Sequence, residues 1–298
     1  MNSRNIRRHL STKVNDWLNS IDDDNIKKLI EENLIISGGA IASLLSGETV
    51  KDYDCYFKTK EACYEVAKYY ANKWNSSRDE QEFVEVLCDA EAISKCHLIS
   101  DDYTIRCYIN SSGVAGDALE EDDFEEDIQQ DEVKKSKNKE KYRPIYFSSN
   151  AITLSDKIQI VVRFYGTVEE LHKNFDYVHC TCSYDYAKDE LSLPNKAIES
   201  ILNKQLVYVG SRYPLCSIFR SKKYLKRGYN INAGQYLKMA LQLNDLDLKN
   251  IDILRDQLIG VDSAYFSQLI TSLESNEYDE NCGLNTDYLM DLINEMFD

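Results

Sequence analysis

The chain is poor in proline, in glycine and in positive charge. Only three of its 298 residues are prolines and eleven are glycines, which argues against collagen-like, low-complexity and disordered proteins. Its 35 Lys and Arg residues stand against 51 Asp and Glu residues, for a formal net charge of −16. A surface this acidic does not bind nucleic acid as a whole, so any contact with RNA requires a local basic patch.

Long apolar runs and paired cysteine motifs are also missing. No stretch approaches the roughly 18 apolar residues of a membrane-spanning helix, and the basic N-terminus lacks the apolar segment of a secretory signal, so no membrane partner is expected. Nine cysteines without a Cys-x-x-Cys motif favour reduced thiols in the cytoplasm. His179, Cys180 and Cys182 suggest either a metal site or buried thiols on a core strand. We favour buried thiols, because no second ligand pair has metal-site spacing.

Hydrophobic periodicity predicts an α+β fold, with a mixed β-sheet and flanking helices over residues 1–190 and an all-helical domain over residues 191–298. In the first part the predicted helices are 13–33, 40–45, 61–74 and 168–174, and the predicted strands are 34–36, 50–57, 102–110 and 175–181, with a hairpin from 144 to 164. In the second part the predicted helices are 195–204, 215–228, 233–243, 247–258, 262–274 and 284–297.

Residues 113–143 differ in kind from their surroundings. Ten acidic residues and no basic one lie between Asp117 and Glu132, whereas six basic residues lie between Lys134 and Arg143. Such segregated charge predicts a solvated insertion, whose two halves could pair with each other. A nucleic-acid arm in the lysine half and a protein-binding arm remain alternatives.

Asp52 and Asp54 form the first chemically suggestive pair, in Lys-Asp-Tyr-Asp-Cys-Tyr-Phe. On a strand they point to one face, and Tyr53 and Cys55 to the other. Two adjacent carboxylates provide the oxygen ligands that Mg²⁺ prefers. The pairs Asp22/Asp24 and Asp245/Asp247 have the same spacing, but they lie in helical or loop contexts where such residues do not face together.

Gly38-Gly39 gives the Asp52/Asp54 pair its setting. It is the one Gly-Gly of the chain, and it follows an apolar strand and opens a helix. Glycines at such a turn let backbone approach a phosphate closely, and the helix N-terminus favours negative charge. Ser37, Gly38 and Gly39 are therefore the predicted phosphate-side turn. A plain tight turn beside a solvated acidic strand is the alternative.

The segment from Ile35 to Phe57 resembles the first motif of the polymerase beta nucleotidyltransferase superfamily, in particular tRNA CCA-adding enzymes and bacterial poly(A) polymerases. Their pattern is Gly-Gly-x-Val-Arg-Asp-x-Leu-Leu-Gly followed by Asp-x-Asp. Leu44, Leu45 and Gly47 match it, whereas Ala42 and Ser43 replace its Arg-Asp. The resemblance implies a nucleotidyltransferase head and a helical neck, Asp52 and Asp54 as metal ligands, and altered recognition of the incoming nucleotide.

A second, weaker part of the resemblance covers residues 158–232. Asp176 matches the aspartate of the family's Arg-Arg-Asp-Phe-Thr-Ile-Asn strand, although Asn174 and Phe175 replace the arginines. Pro214 and Arg220 match a later motif whose acidic position is missing here. The superfamily's third catalytic carboxylate then has two candidate positions. We favour Asp176, whereas the alignment with CCA-adding enzymes expects it on the strand ending at Arg163, where Gln159 stands.

A basic cluster follows at residues 220–227. On a helix, Arg220, Lys223 and Arg227 share a face, which suits contact with a triphosphate or with RNA. A solvated face paired with nearby acids is the alternative. Arg163, at the end of its strand, is a further phosphate candidate.

The leading hypothesis is an Mg²⁺- or Mn²⁺-dependent nucleotidyltransferase that moves an NMP from an NTP such as ATP to a hydroxyl of RNA or protein. The alternative is a catalytically degenerate nucleotidyltransferase fold with a structural or interaction role. The missing arginines and the acidic charge suit this alternative, which resembles divergent proteins carried by tailed phages. Such a protein would lie in the host cytoplasm or the virion. A third hypothesis is an antitoxin or host-defence role for an active head.

Overall fold

The computed structural model describes residues 1–76, 78, 80, 83–96, 103–109, 140–258, 290 and 294. Most of the charged insertion, and the predicted helices 262–274 and 284–297 apart from residues 290 and 294, lie outside these residues. The N-terminal part contains the helices α1 (Ser3–Leu18), α2 (Asp24–Asn33), α3 (Gly39–Ser46), α4 (Lys60–Asn75), α5 (Asp89–Lys95) and α6 (Val168–His172). The C-terminal part contains α7 (Asn195–Leu202), α8 (Pro214–Lys226), α9 (Ala233–Leu243) and α10 (Ile251–Leu258).

Nine strands form two sheets in the described part of the chain. They are β1 (Leu34–Ser37), β2 (Tyr53–Phe57), β3 (Val84–Leu87), β4 (Arg106–Ile109), β5 (Pro144–Phe147), β6 (Ala151–Leu154), β7 (Ile158–Tyr165), β8 (Ser183–Asp185) and β9 (Glu190–Ser192). The large sheet has the order β5-β6-β7-β2-β1-β8-β9, and β3 pairs with β4. Only β2 and β7 run parallel among these described pairs. The predicted α+β class and the helical C-terminal region are confirmed.

The predicted helix over 13–33 was wrong, because two helices occupy this stretch. The first ends at Leu18, and Asp23 starts the second by accepting hydrogen bonds from the backbone N–H groups of Asn25 and Ile26, at 2.8 and 3.2 Å. An aspartate at this position satisfies N–H groups that a new helix leaves without partners. Ile21, between the helices, is buried and belongs to the core.

The predicted strand over 175–181 was also wrong. Its residues form a 3-10 turn, Val178–Cys180, and Tyr177 makes an isolated bridge to Tyr208. The backbone N–H of Val178 donates to the Val207 carbonyl at 3.0 Å, and the N–H of Val209 donates to the Asp176 carbonyl at 3.0 Å. This segment therefore joins the sheet to the C-terminal helices instead of adding a strand.

Apolar clusters of buried residues hold the described elements together, and one of them joins Ile35 and Tyr56 to Cys180. The large one gathers α1 to α4 and the strands, and it includes Ala197 and Ile201 from α7. A smaller one joins Tyr177 to Tyr208 and Met239. Within the described part of the chain no helix is both long and apolar enough to cross a bilayer.

Candidate functional site

The two carboxylates lie at the start of β2, in the middle of the large sheet. Asp52 precedes the strand and Asp54 is its second residue; both are half-buried, whereas Tyr53 and Cys55 are buried. Burial raises the pKa of the Cys55 thiol, and the carboxylates of Asp54 and Asp52 add to this effect. Exposure thus alternates along residues 52–55, and Asp52 and Asp54 are the more exposed of these four residues.

The glycine turn packs directly against Asp54. Gly38 has φ +96° and ψ −147°, and a Cβ placed on it would lie 2.6 Å from Oδ2 of Asp54. This backbone region is essentially restricted to glycine. A Cβ on Gly39 would meet nothing within 4 Å. The structure thus brings the Gly-Gly turn and Asp54 together, and Gly38 is required both for its conformation and for the close approach.

The backbone N–H groups of the turn have different roles. The N–H of Gly38 donates to the Cys180 carbonyl at 3.2 Å, which fixes the turn against the 3-10 turn. The helix that follows, α3, starts at Gly39 and has no side-chain cap. Its first N–H groups have no carbonyl partner within the helix and favour an anion. The positive end of α3 is therefore next to Asp54.

Ser37 makes hydrogen bonds within the core of the fold. Its side chain is fully buried, and its hydroxyl donates to the Cys182 carbonyl at 2.8 Å and lies 2.9 Å from Nε2 of His172. Because the hydroxyl proton goes to the carbonyl, His172 donates from Nε2 to the Ser37 oxygen. Burial lowers the pKa of His172, which keeps the ring neutral. Both contacts of the Ser37 hydroxyl are internal to the fold, and its contact with a phosphate stays a prediction.

Asp176 has a partner of its own. Its buried carboxylate accepts a hydrogen bond from Nη1 of Arg220 at 2.9 Å, and Arg220 is 37% exposed. Burial alone would lower the pKa of Arg220, but the Asp176 carboxylate raises it well above its ordinary value. Among the residues the structure describes, no three His, Cys, Asp or Glu side chains form a group that could hold a metal ion. Asp176 thus has an arginine as its counter-ion, and its role as the third carboxylate stays a prediction.

Gln159 occupies the other candidate position. It is the register partner of Asp54 in the parallel pairing of β2 with β7. The position that the alignment assigns to the third acid is thus adjacent to Asp54, and it carries an amide. Tyr56 and Cys180 belong to one apolar cluster, against which Tyr224 of α8 packs. Burial and Asp54 raise the pKa of Tyr56, and burial and Asp176 raise that of Cys180.

The three basic residues that were predicted to share one helix face have different surroundings in the structure. Arg220 turns to Asp176, Lys223 is half-buried on α8, and Arg227 follows the helix as its C-cap.

His179 lies near this helix end. Burial lowers the pKa of His179 to about 4, and the positive charge of Arg227 contributes to the decrease. His179 is packed among the rings of Tyr177, Tyr224 and Tyr229, with centroids 5.9, 4.4 and 4.8 Å away. His179, Cys180 and Cys182 are thus core residues, and the described cysteines are free thiols.

Arg163 is only 4% exposed, and its guanidinium lies over the ring of Tyr213 at 3.8 Å. Sequence reasoning missed three residues of these surroundings: His172, Tyr213 and Arg106. Their contacts join segments far apart in the chain, and a buried arginine on a strand has no signal in the hydrophobic pattern.

A family model described as Gabija anti-defense 2 family protein matches residues 8–204. The chain is also similar to Gabija anti-defense 2 of Bacillus phage SPbetaL7, with 20% identity over 277 residues. The alignment covers 92% of this chain and 52% of that protein. The chain therefore spans about half the length of this curated relative.

Several solved structures are similar to the chain. The Thermotoga maritima CCA-adding enzyme complexed with tRNA is 12% identical, with 96% of this chain and 66% of that chain covered and a TM-score of 0.39. The Bacillus stearothermophilus CCA-adding enzyme in complex with CTP is 11% identical, with 83% and 50% covered and a TM-score of 0.36.

Proposed function

This chain belongs to the Gabija anti-defense 2 family, and we propose that it acts there as an Mg²⁺- or Mn²⁺-dependent nucleotidyltransferase. The reaction moves an NMP unit from an NTP to a hydroxyl acceptor, either an RNA 3′ end or a protein side chain. RNA would bind through a local basic patch, since the net charge is −16. Two predictions about the domains are kept. One is the charged insertion at about residues 113–143, and the other is a boundary near residue 190 between the nucleotidyltransferase head and a helical domain.

The contact between Gly38 and Asp54 is the observation that carries the proposal. A turn that only glycine can adopt lies against a carboxylate, and a helix begins at the next residue. Nucleotidyl transfer requires a cation and a phosphate-binding backbone in direct proximity, because the phosphate charge must be neutralised while the acceptor is aligned. A structural turn has no need of a carboxylate at this distance from its backbone.

The residues at this point suit a hard divalent cation. Asp52 and Asp54 supply carboxylate oxygens, and the Gln159 amide oxygen next to them is a neutral ligand of the same hard type. A bound Mg²⁺ supplies charge neutralisation on the phosphates and activates the attacking hydroxyl. The N-terminus of α3 orients the phosphates, and Lys223 and Arg227 are the proposed contacts for the remaining phosphate charge.

The test combines transfer and binding on the full chain. Each of four α-labelled NTPs is incubated with Mg²⁺ or Mn²⁺ and with RNA or protein from the host, and label is followed in both fractions. Asp54→Asn should abolish transfer and the metal-dependent thermal shift with NTP. Asp245→Asn, at an exposed position of the same spacing, should leave both unchanged. Absence of label and of any metal-linked shift in the unaltered chain would overturn the proposal.

A second function, nucleotide or partner binding without transfer, is favoured by a specific observation. Gln159 stands where a third acid is expected, and Asp176 is committed to Arg220. If the chain counters defence by binding alone, Asp54→Asn should retain full anti-defense activity in an infection assay. If transfer is required, that variant should lose it while remaining folded.

A further inference from the structure

Two buried arginines have guanidinium nitrogens without partners. Arg106 on β4 and Arg163 on β7 are each 4% exposed. Nη1 of Arg106 donates to the carbonyls of Tyr103 and Ile105 at 3.1 and 2.7 Å. Its Nε, and both Nε and Nη2 of Arg163, are buried and find no hydrogen-bond acceptor among the described residues. Buried polar groups are normally satisfied, so three unpartnered cationic donors in neighbouring side chains call for an acceptor.

The two arginines belong to one positive cluster. The ring of Tyr213 lies 3.8 Å from the guanidinium carbon of Arg163 and 5.9 Å from that of Arg212. Burial and the charge of Arg163 lower the pKa of Arg106 to about 10. The backbone brings their segments together: the N–H of Cys107 donates to the Ser149 carbonyl and the N–H of Arg163 donates to the Asn150 carbonyl, each at 3.2 Å. Like charges in neighbouring buried side chains repel each other, and their burial costs free energy unless a counter-ion is present.

Asp256 on α10 is the acidic residue of this cluster. Burial raises its pKa, whereas Arg163, Arg212 and Arg106 act in the opposite direction. Nε of Arg106 and Nε and Nη2 of Arg163 remain donors without an acceptor among the described residues. A phosphate group carries several acceptor oxygens, and guanidinium forks bind phosphate oxygens with two parallel hydrogen bonds.

We propose that Arg106 and Arg163 form a buried binding site for a phosphate group, with Arg212 contributing charge and Asp256 competing with the ligand. The burial of both arginines excludes the backbone of a long nucleic acid, whose phosphates need an open groove. The ligand is thus a free phosphate anion or the terminal phosphate of a small molecule. This site uses residues other than the Asp52 and Asp54 pair and does not depend on transfer.

Titration of the full chain with inorganic phosphate, pyrophosphate, ATP and adenosine in EDTA tests the site, because failure of metal-dependent transfer then has no influence. Calorimetry and thermal unfolding at constant ionic strength are the readouts. We expect saturable binding of phosphate compounds and none of adenosine. Tighter binding of ATP than of phosphate would identify a nucleotide as the source of the phosphate group, and equal binding would identify the free anion.

Matched variants show whether the bound phosphate is held by Arg106 and Arg163. Arg163→Met and Arg106→Met keep the aliphatic stem and should each weaken binding at least about tenfold, while Arg4→Met, at an exposed arginine, should not. Asp256→Asn removes the competing charge and should tighten binding, so the proposal stays testable even if the arginine variants fail to fold. No saturable binding to the unaltered chain, or weaker binding to Asp256→Asn, would overturn it.

Discussion

Asp54 and Gln159 are register partners in the parallel pairing of β2 with β7. A carboxylate and an amide therefore stand side by side at the position where the proposed cation binds. The amide contributes an oxygen ligand but no charge, so this pairing sets how strongly the site attracts a divalent metal.

Gln159→Glu should increase metal affinity. The side chain keeps its length and adds a carboxylate next to Asp54, and charge count is a main determinant of affinity for hard cations. We expect Mn²⁺ to bind at least about tenfold more tightly in calorimetry. In EDTA the same variant should melt at a lower temperature, because like charges on adjacent strands destabilise a sheet. Gln159→Asn keeps an uncharged amide and serves as the control; an equal gain in that variant would contradict the explanation.

Gly38→Ala and Gly39→Ala should differ sharply. The first substitution forces a Cβ into the Asp54 carboxylate at a positive φ, with an expected loss of about 1–3 kcal/mol of unfolding free energy. It should also weaken nucleotide binding, since Asp54 must move. The second places a Cβ in open space at the start of α3, so stability should stay unchanged or rise by up to about 1 kcal/mol. Chemical denaturation of both variants measures the difference, and equal losses would contradict the steric account.

Breaking the Asp176–Arg220 pair should cost stability. Arg220→Leu leaves a carboxylate that is 5% exposed without its counter-ion, at an expected cost of about 2–4 kcal/mol, at the lower end because Arg220 is 37% exposed. Combining it with Asp176→Leu should recover part of the loss, as a double-mutant cycle shows. Asp176→Asn should lower stability without changing Mn²⁺ affinity. Loss of metal binding in that variant would contradict this expectation and would support Asp176 as the third catalytic carboxylate, as the sequence predicted.

Stability should fall between neutral and mildly acidic pH because of His179. Burial lowers its pKa from 6.5 to about 4, so below pH 6.5 the unfolded chain binds a proton that the folded chain does not. The unfolding free energy therefore decreases as the pH falls, by up to about 3 kcal/mol once both pKa values are passed. His179→Phe keeps ring packing and should reduce the loss measured by denaturation at pH 7.5 and 5.0. A smaller slope remains from His172, whose pKa burial also lowers.

The features that the sequence predicts well are local ones. Strand, Gly-Gly, helix and Asp-x-Asp follow one another within about twenty-five residues of chain, and their geometry depends on alternation and on the glycine conformation. The strands between Pro144 and Tyr165 and the helices between Asn195 and Leu258 are predicted for the same reason, whereas β8 and β9 were missed and residues 175–181 were wrongly predicted as a strand. There the apolar–Asp–apolar pattern is typical of a strand, but the backbone bonds with residues 207 and 209 replace a sheet partner.

Contacts between distant segments could not be predicted. Ser37 and His172 are 135 residues apart, and Asp176 and Arg220 are 44 apart. Arg106 could not be identified either, because a charged residue on a strand normally indicates the solvent face. The first contact depends on how α6 packs near β1, and the second on how α8 packs near Asp176.

The position of β1 between β2 and β8 has a consequence for synthesis of the chain. Ile36 pairs with Cys55 on one side and with Tyr184 on the other. When the ribosome has passed β2 but not yet reached β8, the glycine turn and Asp54 have been made, but one edge of β1 still lacks its neighbouring strand. Unpaired edges of this kind promote association between nascent chains. The proposed catalytic residues are thus made before β8, and they gain their final environment only after β8 has left the exit tunnel.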